Sequence, residues 1–344
     1  MNSHIKLYPS GQSVACDHGQ TVLEALERSG YALPNNCRAG ACGECKVRVR
    51  AGEFDQGFVL DMALSQEERA QGYGLMCMAK PLSDSLEIEW GTADAKPRLF
   101  PPRESQYAVL VDRIARTPRI TEFVLRPLGE PMRFWPGQYV QLGDPAQGIP
   151  VRSYSLANAP RPDGEIRLQI TRVDAESADT AAGRTSRWLH DEVPLGQQLR
   201  FSGPHGTFIG DPSAETPVLC LAAGSGLAPI LSLTEAALRR GYSQPVTLMF
   251  SGREAADLYD LGLMRYWETR YPQFRYLPTL TRAQQAGMAH GRIPAILGQH
   301  FPDLARHSVF IAGTTGFVDD CSAAAQALGA APTHIHTEGF FGQA

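Results

Sequence analysis

Four cysteines constrain this chain more than any other feature. Three of them follow a C-x₄-C-x₂-C pattern over residues 37–45, and the fourth lies further along the chain. Thiolates are soft ligands, and four of them in this spacing are typical of a cluster of two irons and two sulfides. Gly40 and Gly43 lie within the pattern, where a loop that curls around a cluster needs residues that reach positive φ. The predicted ligands of this 2Fe–2S cluster are Cys37, Cys42, Cys45 and Cys77.

Other interpretations of these cysteines stay open at this stage. A C-x₂-C pair is also an element of zinc sites, although zinc ribbons usually show two close pairs and here Cys77 stands alone. Free thiols that pack as small hydrophobic side chains are a second alternative. Disulfide bonds are disfavoured, because the first residues do not resemble a secretion signal. We expect the remaining thiols to be packing residues; they are Cys16, Cys220 and Cys321.

The bulk composition is that of an ordinary globular protein. The 344 residues are 43% hydrophobic and 20% charged, and this length predicts two or three domains. A formal net charge of −4 argues against nucleic acid as the main partner. No apolar run approaches the length that spans a bilayer, so we expect no membrane partner. With no secretion signal, a cytoplasmic location is the default expectation.

Residues 1–93 are predicted to form one small domain. A first hairpin ends near Gly11, and a helix over 21–29 ends at Gly30. Alternating apolar and polar residues predict strands at 46–50 and 86–90. The next segment, residues 94–106, is rich in proline and arginine without periodicity, and it is predicted to be a semi-stiff linker.

Residues 107–212 show strands and turns. Short strands at this spacing predict an antiparallel β-barrel. No glycine-rich dinucleotide turn occurs in this range. The predicted strands include 107–111, 120–125 and 138–142.

Residues 213–344 follow a different pattern. An apolar strand at 218–222 leads through a glycine turn into a helix that ends at Gly241, and a second strand follows at 246–250. This βαβ unit predicts an α/β domain with a parallel sheet. Later strands are predicted at 274–277, 309–312 and 335–337.

The barrel range carries a motif that resembles a known family. Residues 152–155, Arg-Ser-Tyr-Ser, resemble the R-x-Y-S flavin motif of the ferredoxin–NADP reductase superfamily, although alone they would also suit an exposed edge strand. The resemblance implies that Arg152 binds the flavin phosphates, that Tyr154 stacks on the isoalloxazine ring and that Ser155 bonds near flavin N5. Residues 183–186 resemble the second phosphate-contacting segment of the family. The predicted flavin-binding residues are Arg152, Ser153, Tyr154, Ser155, Ile170, Thr171, Gly183, Thr185 and Ser186.

The glycine turn resembles the nicotinamide loop of the same family. Residues 223–229 match its G-x-G-x-x-P pattern, in which glycines let a pyrophosphate approach N–H groups at the start of a helix. The strand that ends near 251–253 resembles the one that meets the adenosine ribose. Many relatives have Cys-Gly where this chain has Ala312-Gly313, which puts a thiol beside the nicotinamide in doubt. The predicted coenzyme-binding residues are Gly224, Ser225, Gly226, Ser251, Arg253 and Gly313.

The C-terminal residues 337–341 resemble the closing strand of the family. The resemblance implies that Phe340 covers the flavin until the nicotinamide displaces it, and that Glu338 lies near N5 as a proton relay or orienting group. A plain apolar terminus that packs on the sheet is the alternative. Ser155, Glu338 and Phe340 are therefore the candidate catalytic residues.

The order of the three domains extends the resemblance to the whole chain. A β-grasp ferredoxin of plant type, a flavin barrel and a nicotinamide domain resemble the one-chain reductases of bacterial aromatic-ring-hydroxylating dioxygenases, of the naphthalene dioxygenase reductase type. The resemblance implies FAD as the flavin and NADH as the favoured coenzyme, with NADPH open. It also implies that electrons pass through FAD and the 2Fe–2S cluster to a Rieske oxygenase or a small ferredoxin.

Two functions of other kinds stay open from the sequence. One is the reductase of a soluble diiron monooxygenase, which would have the same three domains. The other is a redox sensor that binds flavin without turning over NAD(P)H. A zinc-stabilised dinucleotide-binding module is a more remote alternative.

Overall fold

The computed structural model describes residues 2–174, 183–211 and 213–340. The chain divides into two compact units. The first comprises the residues up to Arg103 together with Gly203–Thr207, and the second comprises Glu104–Ser202 and the residues from Phe208 onwards. In the described residues, no helix is both long enough and apolar enough to cross a bilayer.

The first unit is built on a mixed sheet of five strands. Its elements are β1 (Ser3–Tyr8), β2 (Ser13–Cys16), α1 (Val22–Arg28), β3 (Lys46–Ala51), β4 (Phe54–Asp55), α2 (Gln66–Ala70), β5 (Tyr73–Leu75), β6 (Lys80–Pro81) and β7 (Ser85–Glu89). The strand order is β2-β1-β7-β3-β5, and β1 pairs antiparallel with β2 and parallel with β7. The helix and the two strands predicted in this range are confirmed. The hairpin is present too, but Gly11 lies in its turn and its second strand ends at Cys16.

Helix α1 begins and ends where its sequence predicts. Thr21 caps the N-terminus: its side chain accepts from the Glu24 N–H, and the Glu24 carboxylate accepts from the Thr21 N–H. Gly30 follows the helix with φ +82°, a conformation that glycine adopts without strain. The helix places Leu23 and Leu26 in the core of the unit.

The barrel has six strands. Its elements are β8 (Arg103–Ala115), β9 (Ile120–Leu128), β10 (Tyr139–Asp144), β11 (Ile149–Ser155), β12 (Ile166–Thr171), α3 (Arg184–Arg187) and β13 (Gln198–His205). The strand order is β11-β10-β13-β8-β9-β12, and an antiparallel bridge between Leu156 and Leu168 joins the two ends of the sheet. The predicted barrel is therefore confirmed. Strand β8 begins at Arg103, so residues 103–106 of the predicted linker are strand.

The remaining residues form a six-stranded parallel sheet with helices. The elements are β14 (Val218–Ala223), α4 (Leu227–Arg239), β15 (Val246–Gly252), α5 (Leu261–Arg270), β16 (Phe274–Leu280), β17 (Ala289–His290), α6 (Ile293–His300), β18 (Ser308–Thr314), α7 (Thr315–Ala327) and β19 (Ile335–Phe340). The strand order is β17-β16-β15-β14-β18-β19, with every neighbouring pair parallel, as predicted.

Burial on both faces explains the apolar runs of the central strands. In β14, Cys220 and Ala222 face one apolar cluster, whereas Leu219 and Leu221 face another. A strand covered on both faces has no exposed side, so its sequence does not alternate. The carboxyl ends of these parallel strands meet at one edge of the sheet, where the glycine turn after β14 lies.

Candidate functional site

The four predicted cluster cysteines lie in two pairs in the first unit. The side chains of Cys37 and Cys42 hydrogen-bond each other, and those of Cys45 and Cys77 do the same. No group of three or more Cys, His, Asp or Glu side chains in the described residues is placed to hold one metal ion. A structural zinc ion requires four ligands around one point, whereas a 2Fe–2S cluster takes two thiolates on each iron. The paired arrangement therefore fits the cluster better than zinc.

Backbone N–H groups converge on these sulfur atoms. Ala39 and Ala41 both donate to Cys37 Sγ at 3.4 Å, and Gly40 donates to Cys77. The hydrogen bond from Cys42, together with the backbone donors, lowers the pKa of Cys37 to about 5. Donors of this kind stabilise thiolates and adjust the reduction potential of a cluster.

Gly40 is required where it lies. Its φ is +69°, and a Cβ on this residue would lie 2.7 Å from the carbonyl oxygen of Phe58. A larger residue would therefore push the cysteine loop away from the segment that covers it. The loop fits a cluster, and the four cysteines with their backbone donors are the residues that would hold it.

A buried ion pair supports the cysteine loop. Arg38 has φ +53° and contacts both carboxylate oxygens of Glu27, at 2.6 and 2.7 Å. Burial alone would raise the pKa of Glu27, but Arg38 and His205 outweigh it and lower that pKa below its usual value. The sequence analysis missed this pair. The sequence does contain a signal for this pair: Glu27 is an acidic residue four positions after Leu23, on the apolar face of α1.

Strand β11 presents the flavin motif in the second unit. Arg152 and Tyr154 are two residues apart and point to the same face of the strand. Tyr154 is half-buried against the barrel core, and burial raises its pKa, which keeps the phenol neutral. The partly exposed Arg152 donates to the Val151 carbonyl at 3.0 Å. An aromatic face beside an arginine fits a flavin and its phosphates.

The second flavin segment is tied to this strand. The Thr185 hydroxyl donates to the Pro150 carbonyl at 2.5 Å, and the Ser186 hydroxyl donates to the Gly183 carbonyl at 3.0 Å. Both hydroxyls therefore already donate to carbonyl groups of the protein. The predicted contact of this segment with a phosphate would then come from its backbone N–H groups. Ile170 packs inside the barrel core, so its predicted flavin contact would not come from an exposed side chain.

Ser155 meets Glu338 where the barrel and the parallel sheet come together. The Ser155 hydroxyl donates to Glu338 Oε1. Burial raises the pKa of Glu338 to about 7, although the bond from Ser155 opposes the shift. The other oxygen, Oε2, is buried without a hydrogen-bond partner among the described residues. An orphaned acceptor of this kind fits a site that a polar group of flavin or coenzyme completes. Phe340 is half-buried two residues further on, and Phe341 lies outside the described residues.

The predicted nicotinamide loop lies at the carboxyl edge of the parallel sheet. Gly224–Gly226 form a 3₁₀ turn between β14 and α4. Thr171 of the barrel donates to Ser225 Oγ at 3.0 Å. A Cβ on Gly226 would lie 2.2 Å from the Ala312 carbonyl oxygen, so only glycine allows this approach to β18. The structure thus brings together the predicted residues Thr171, Gly226 and Gly313, which come from three parts of the chain.

The predicted ribose-binding residues lie at the same edge. Ser251 and Arg253 come at the carboxyl end of β15, next in the sheet to β14. The N–H groups of Arg253 and Glu254 donate to Asp257 at 2.9 and 3.0 Å, which shapes the loop that follows the strand. The side chains of Arg253 and Glu254 are both exposed.

A buried polar network beside the loop escaped the sequence analysis. The Tyr259 hydroxyl donates to the Gly224 carbonyl at 3.0 Å and to Gln169 Oε1 at 3.2 Å. Gln169 donates in turn to Asp260 at 2.8 Å, and Arg116 pairs with Asp260 at 2.9 Å. The available signal was the position of Gln169 between the apolar residues Leu168 and Ile170. Its partners are distant in sequence, so they could not be read from local patterns.

These features define the class of protein. A cysteine loop suited to a 2Fe–2S cluster, a flavin-type strand and a glycine turn on a parallel sheet occur in oxidoreductases that link a nicotinamide coenzyme to one-electron carriers. The chain matches the family models described as 2Fe-2S iron-sulfur cluster binding domain (residues 5–82), oxidoreductase FAD-binding domain (residues 109–209) and oxidoreductase NAD-binding domain (residues 220–323).

Known proteins resemble the chain along its length. It is 36% identical over 333 residues to the reductase subunit of an aromatic O-demethylase from Amycolatopsis sp., covering 96% of each chain. It is 35% identical to the reductase component DmpP of phenol 2-monooxygenase from Pseudomonas sp., over 82% of this chain and 77% of that one. The crystal structure of an Amycolatopsis cytochrome P450 reductase superposes with a TM-score of 0.85 at 33% identity, covering 98% of each chain.

The chain therefore belongs to the ferredoxin–NADP reductase superfamily, among the one-chain reductases with an iron–sulfur domain. It is an NAD(P)H-dependent oxidoreductase that uses a 2Fe–2S cluster, FAD and a nicotinamide coenzyme. The family, the fold class and the cofactors expected from the sequence are confirmed. The roles of the individual site residues stay predictions.

Proposed function

We propose that this chain is the reductase component of an aromatic-compound oxygenase system, which oxidises NADH and delivers electrons singly to the oxygenase. One observation carries the proposal. A site where Ser155 meets Glu338 beside a nicotinamide loop shares one chain with a loop of paired cysteines. When bound, FAD accepts a hydride from the coenzyme, and the cluster carries one electron at a time.

The protein residues would bind and orient these groups. Arg152 would pair with the flavin phosphates, and Tyr154 would pack on the flavin ring. Ser155 and Glu338 would hold a proton between them beside the bound flavin, and Phe340 would shield the flavin site from water. Gly226 keeps the coenzyme loop close to β18, which sets the position of the nicotinamide.

The identity of the electron acceptor is the more specific part of the proposal. Following the sequence resemblance, we propose a ring-hydroxylating dioxygenase, reached directly or through a small ferredoxin. A monooxygenase is the second candidate. It is favoured by relatives at 36% and 35% identity that are the reductases of an O-demethylase and a phenol 2-monooxygenase. Reconstitution of the purified reductase with one oxygenase of each kind distinguishes the two, since only the right partner supports product formation coupled to NADH oxidation.

Cys42→Ala tests the electron path. The variant should lose the visible bands of the cluster and the reduction of cytochrome c, while NADH still bleaches the flavin under anaerobic conditions. Ser3→Ala, a change at the start of β1 on the same unit, should keep all three. Normal cytochrome c reduction by Cys42→Ala would show that electrons bypass the cluster. A flavin that NADH does not bleach in the wild type would favour the redox sensor.

We also propose NADH as the preferred coenzyme and the cytoplasm as the location. None of the seven cysteines, all of which lie in the described residues, forms a disulfide bond, which suits a reducing compartment. Glu254 suits the 2′-hydroxyl of NADH, whereas Arg253 would suit the 2′-phosphate of NADPH. Anaerobic titrations with the two coenzymes, followed by the flavin band, compare the affinities directly.

A further inference from the structure

The first unit carries an exposed apolar patch, defined here as Phe58, Leu60 and Met62. Their exposed fractions are 74%, 37% and 87%. Single exposed apolar side chains are ordinary, but three within five residues form a patch that a monomeric surface usually avoids. Val59 and Ala63 are buried, so the segment is anchored while the 58–62 patch faces outward.

The patch lies directly over the cysteine loop. The Leu60 N–H donates to the Gly40 carbonyl at 3.0 Å, and Gly40 also approaches the Phe58 carbonyl oxygen closely. The N–H of Gly40 donates to the predicted cluster ligand Cys77. Gly40 therefore links the patch to Cys77, a predicted ligand of the cluster. Because electron transfer weakens steeply with distance, a protein seated on the patch would lie within a short path of the cluster.

Acidic residues flank the patch along the chain. Residues 53–68 contain five acidic residues and no lysine or arginine. Glu68 pairs with Lys46 at 2.6 Å and Asp61 pairs with Arg69 at 2.9 Å, so two of the charges are partly balanced from outside this segment. The exposed acidic residues are Glu53, Asp55, Asp61 and Glu67. A partner with a basic rim would complement this surface.

We propose that the 58–62 patch is the docking surface of the electron acceptor, and that the acceptor presents an apolar centre within a basic rim. This inference rests on the proposed function, because it names where the acceptor of that function binds. Phe and Met are enriched at the centres of protein interfaces, and a few such residues supply most of the binding energy. The acidic rim speeds the encounter with a basic partner and orients it.

The test uses cytochrome c, a basic haem protein, as the docking probe and ferricyanide as an acceptor too small to need a surface. The double variant Phe58→Ser/Met62→Ser should weaken the Kd for cytochrome c, measured by calorimetry, by about tenfold or more. The second-order rate of cytochrome c reduction should fall by a similar factor. Cluster absorbance, flavin bleaching by NADH and ferricyanide turnover should all stay at wild-type values.

Tyr8→Ser is the matched control. Tyr8 is 41% exposed at the end of β1 on the same unit, and it belongs neither to the patch nor to the acidic rim. The control should bind cytochrome c like the wild type. An unchanged Kd in the double variant, or an equal loss in Tyr8→Ser, would overturn the docking surface. Either result would leave the proposed function intact as long as NADH still bleaches the flavin and cytochrome c is still reduced through the cluster.

The rim has its own test. Glu53→Gln/Glu67→Gln removes two exposed charges and leaves the patch unchanged. The association rate with cytochrome c should fall several-fold at low ionic strength and converge with that of the wild type at high salt, because salt screens exposed charges. Equal rates at low ionic strength would contradict the acidic rim.

Discussion

The hydroxyl of Tyr259 donates a hydrogen bond to the carbonyl oxygen of Gly224 at 3.0 Å. Gly224 opens the predicted nicotinamide loop, and Tyr259 is buried next to the start of α5. The same hydroxyl donates to Gln169 of the barrel at 3.2 Å. The Tyr259 side chain therefore connects the coenzyme loop to β12, a strand of the flavin barrel. We infer that Tyr259 positions the loop without touching the coenzyme.

Tyr259→Phe should impair hydride transfer to the flavin. The substitution removes the donor to the buried Gln169 amide oxygen and to the Gly224 carbonyl, which costs about 1–3 kcal/mol. We expect a several-fold higher KM for NADH and slower flavin reduction in anaerobic stopped-flow, at unchanged flavin content. Tyr276→Phe is the control, because the Tyr276 hydroxyl is buried without a partner in the described part of the chain. Similar kinetics in both variants would show that the Tyr259 hydroxyl does not position the loop and that the residue only packs in the core.

Glu338→Gln should change how stability depends on pH. Burial raises the pKa of Glu338 from 4.5 to about 7, so between these values the folded protein holds a proton that the unfolded chain releases. The resulting stabilisation is complete below the ordinary pKa and is lost as the pH rises through about 7, a change of about 3 kcal/mol. Glutamine does not titrate. The wild-type Tm should therefore fall relative to that of the variant from about pH 5 to about pH 8, and parallel Tm curves would contradict the raised pKa.

Ser155→Ala should raise the pKa of Glu338 further. The hydroxyl of Ser155 stabilises the carboxylate, and without it burial alone determines the shift. The pH at which flavin reduction by NADH changes should move upward in Ser155→Ala and disappear in Glu338→Gln. An unmoved profile in Ser155→Ala would show that another group controls the step.

Arg152→Ala should lower the flavin content of the purified protein. The guanidinium is the predicted partner of the flavin phosphates, and losing a charge-assisted contact weakens binding by about tenfold or more. Arg126→Ala, on an exposed position of β9, serves as the control and should retain the flavin. The measurement is the ratio of flavin to protein absorbance after gel filtration. Equal ratios in the two variants would show that Arg152 does not bind the flavin phosphates.

Glu27→Gln should destabilise the cysteine loop. It removes the charge that balances Arg38 in a buried pair, and breaking such a pair costs about 3–5 kcal/mol. We expect faster loss of iron and labile sulfide on mild heating, with the flavin retained. Glu89→Gln, at the exposed end of β7, should keep the cluster as the wild type does. Identical loss rates would show that the pair does not support the loop.

Much of this architecture follows from local sequence patterns. The cysteine spacing predicts the cluster loop, because its ligands must lie close together along the chain. The capping residues Thr21 and Glu24, with Gly30 at the other end, determine the bounds of α1 through contacts within a few residues. An apolar strand, a glycine turn and a helix predict the parallel sheet, since burial on both faces leaves a clear signature in sequence.

The tertiary structure decided which distant side chains meet. Ser155 and Glu338 are 183 positions apart, and Tyr259 and Gly224 are 35 apart. The extent of β8 also depended on its partners, because residues 103–106 have no periodicity and become strand only by pairing within the barrel. Periodicity and propensity describe which face of an element is buried. They do not encode which polar atoms are buried together, since that depends on how the packed elements bring their side chains into contact.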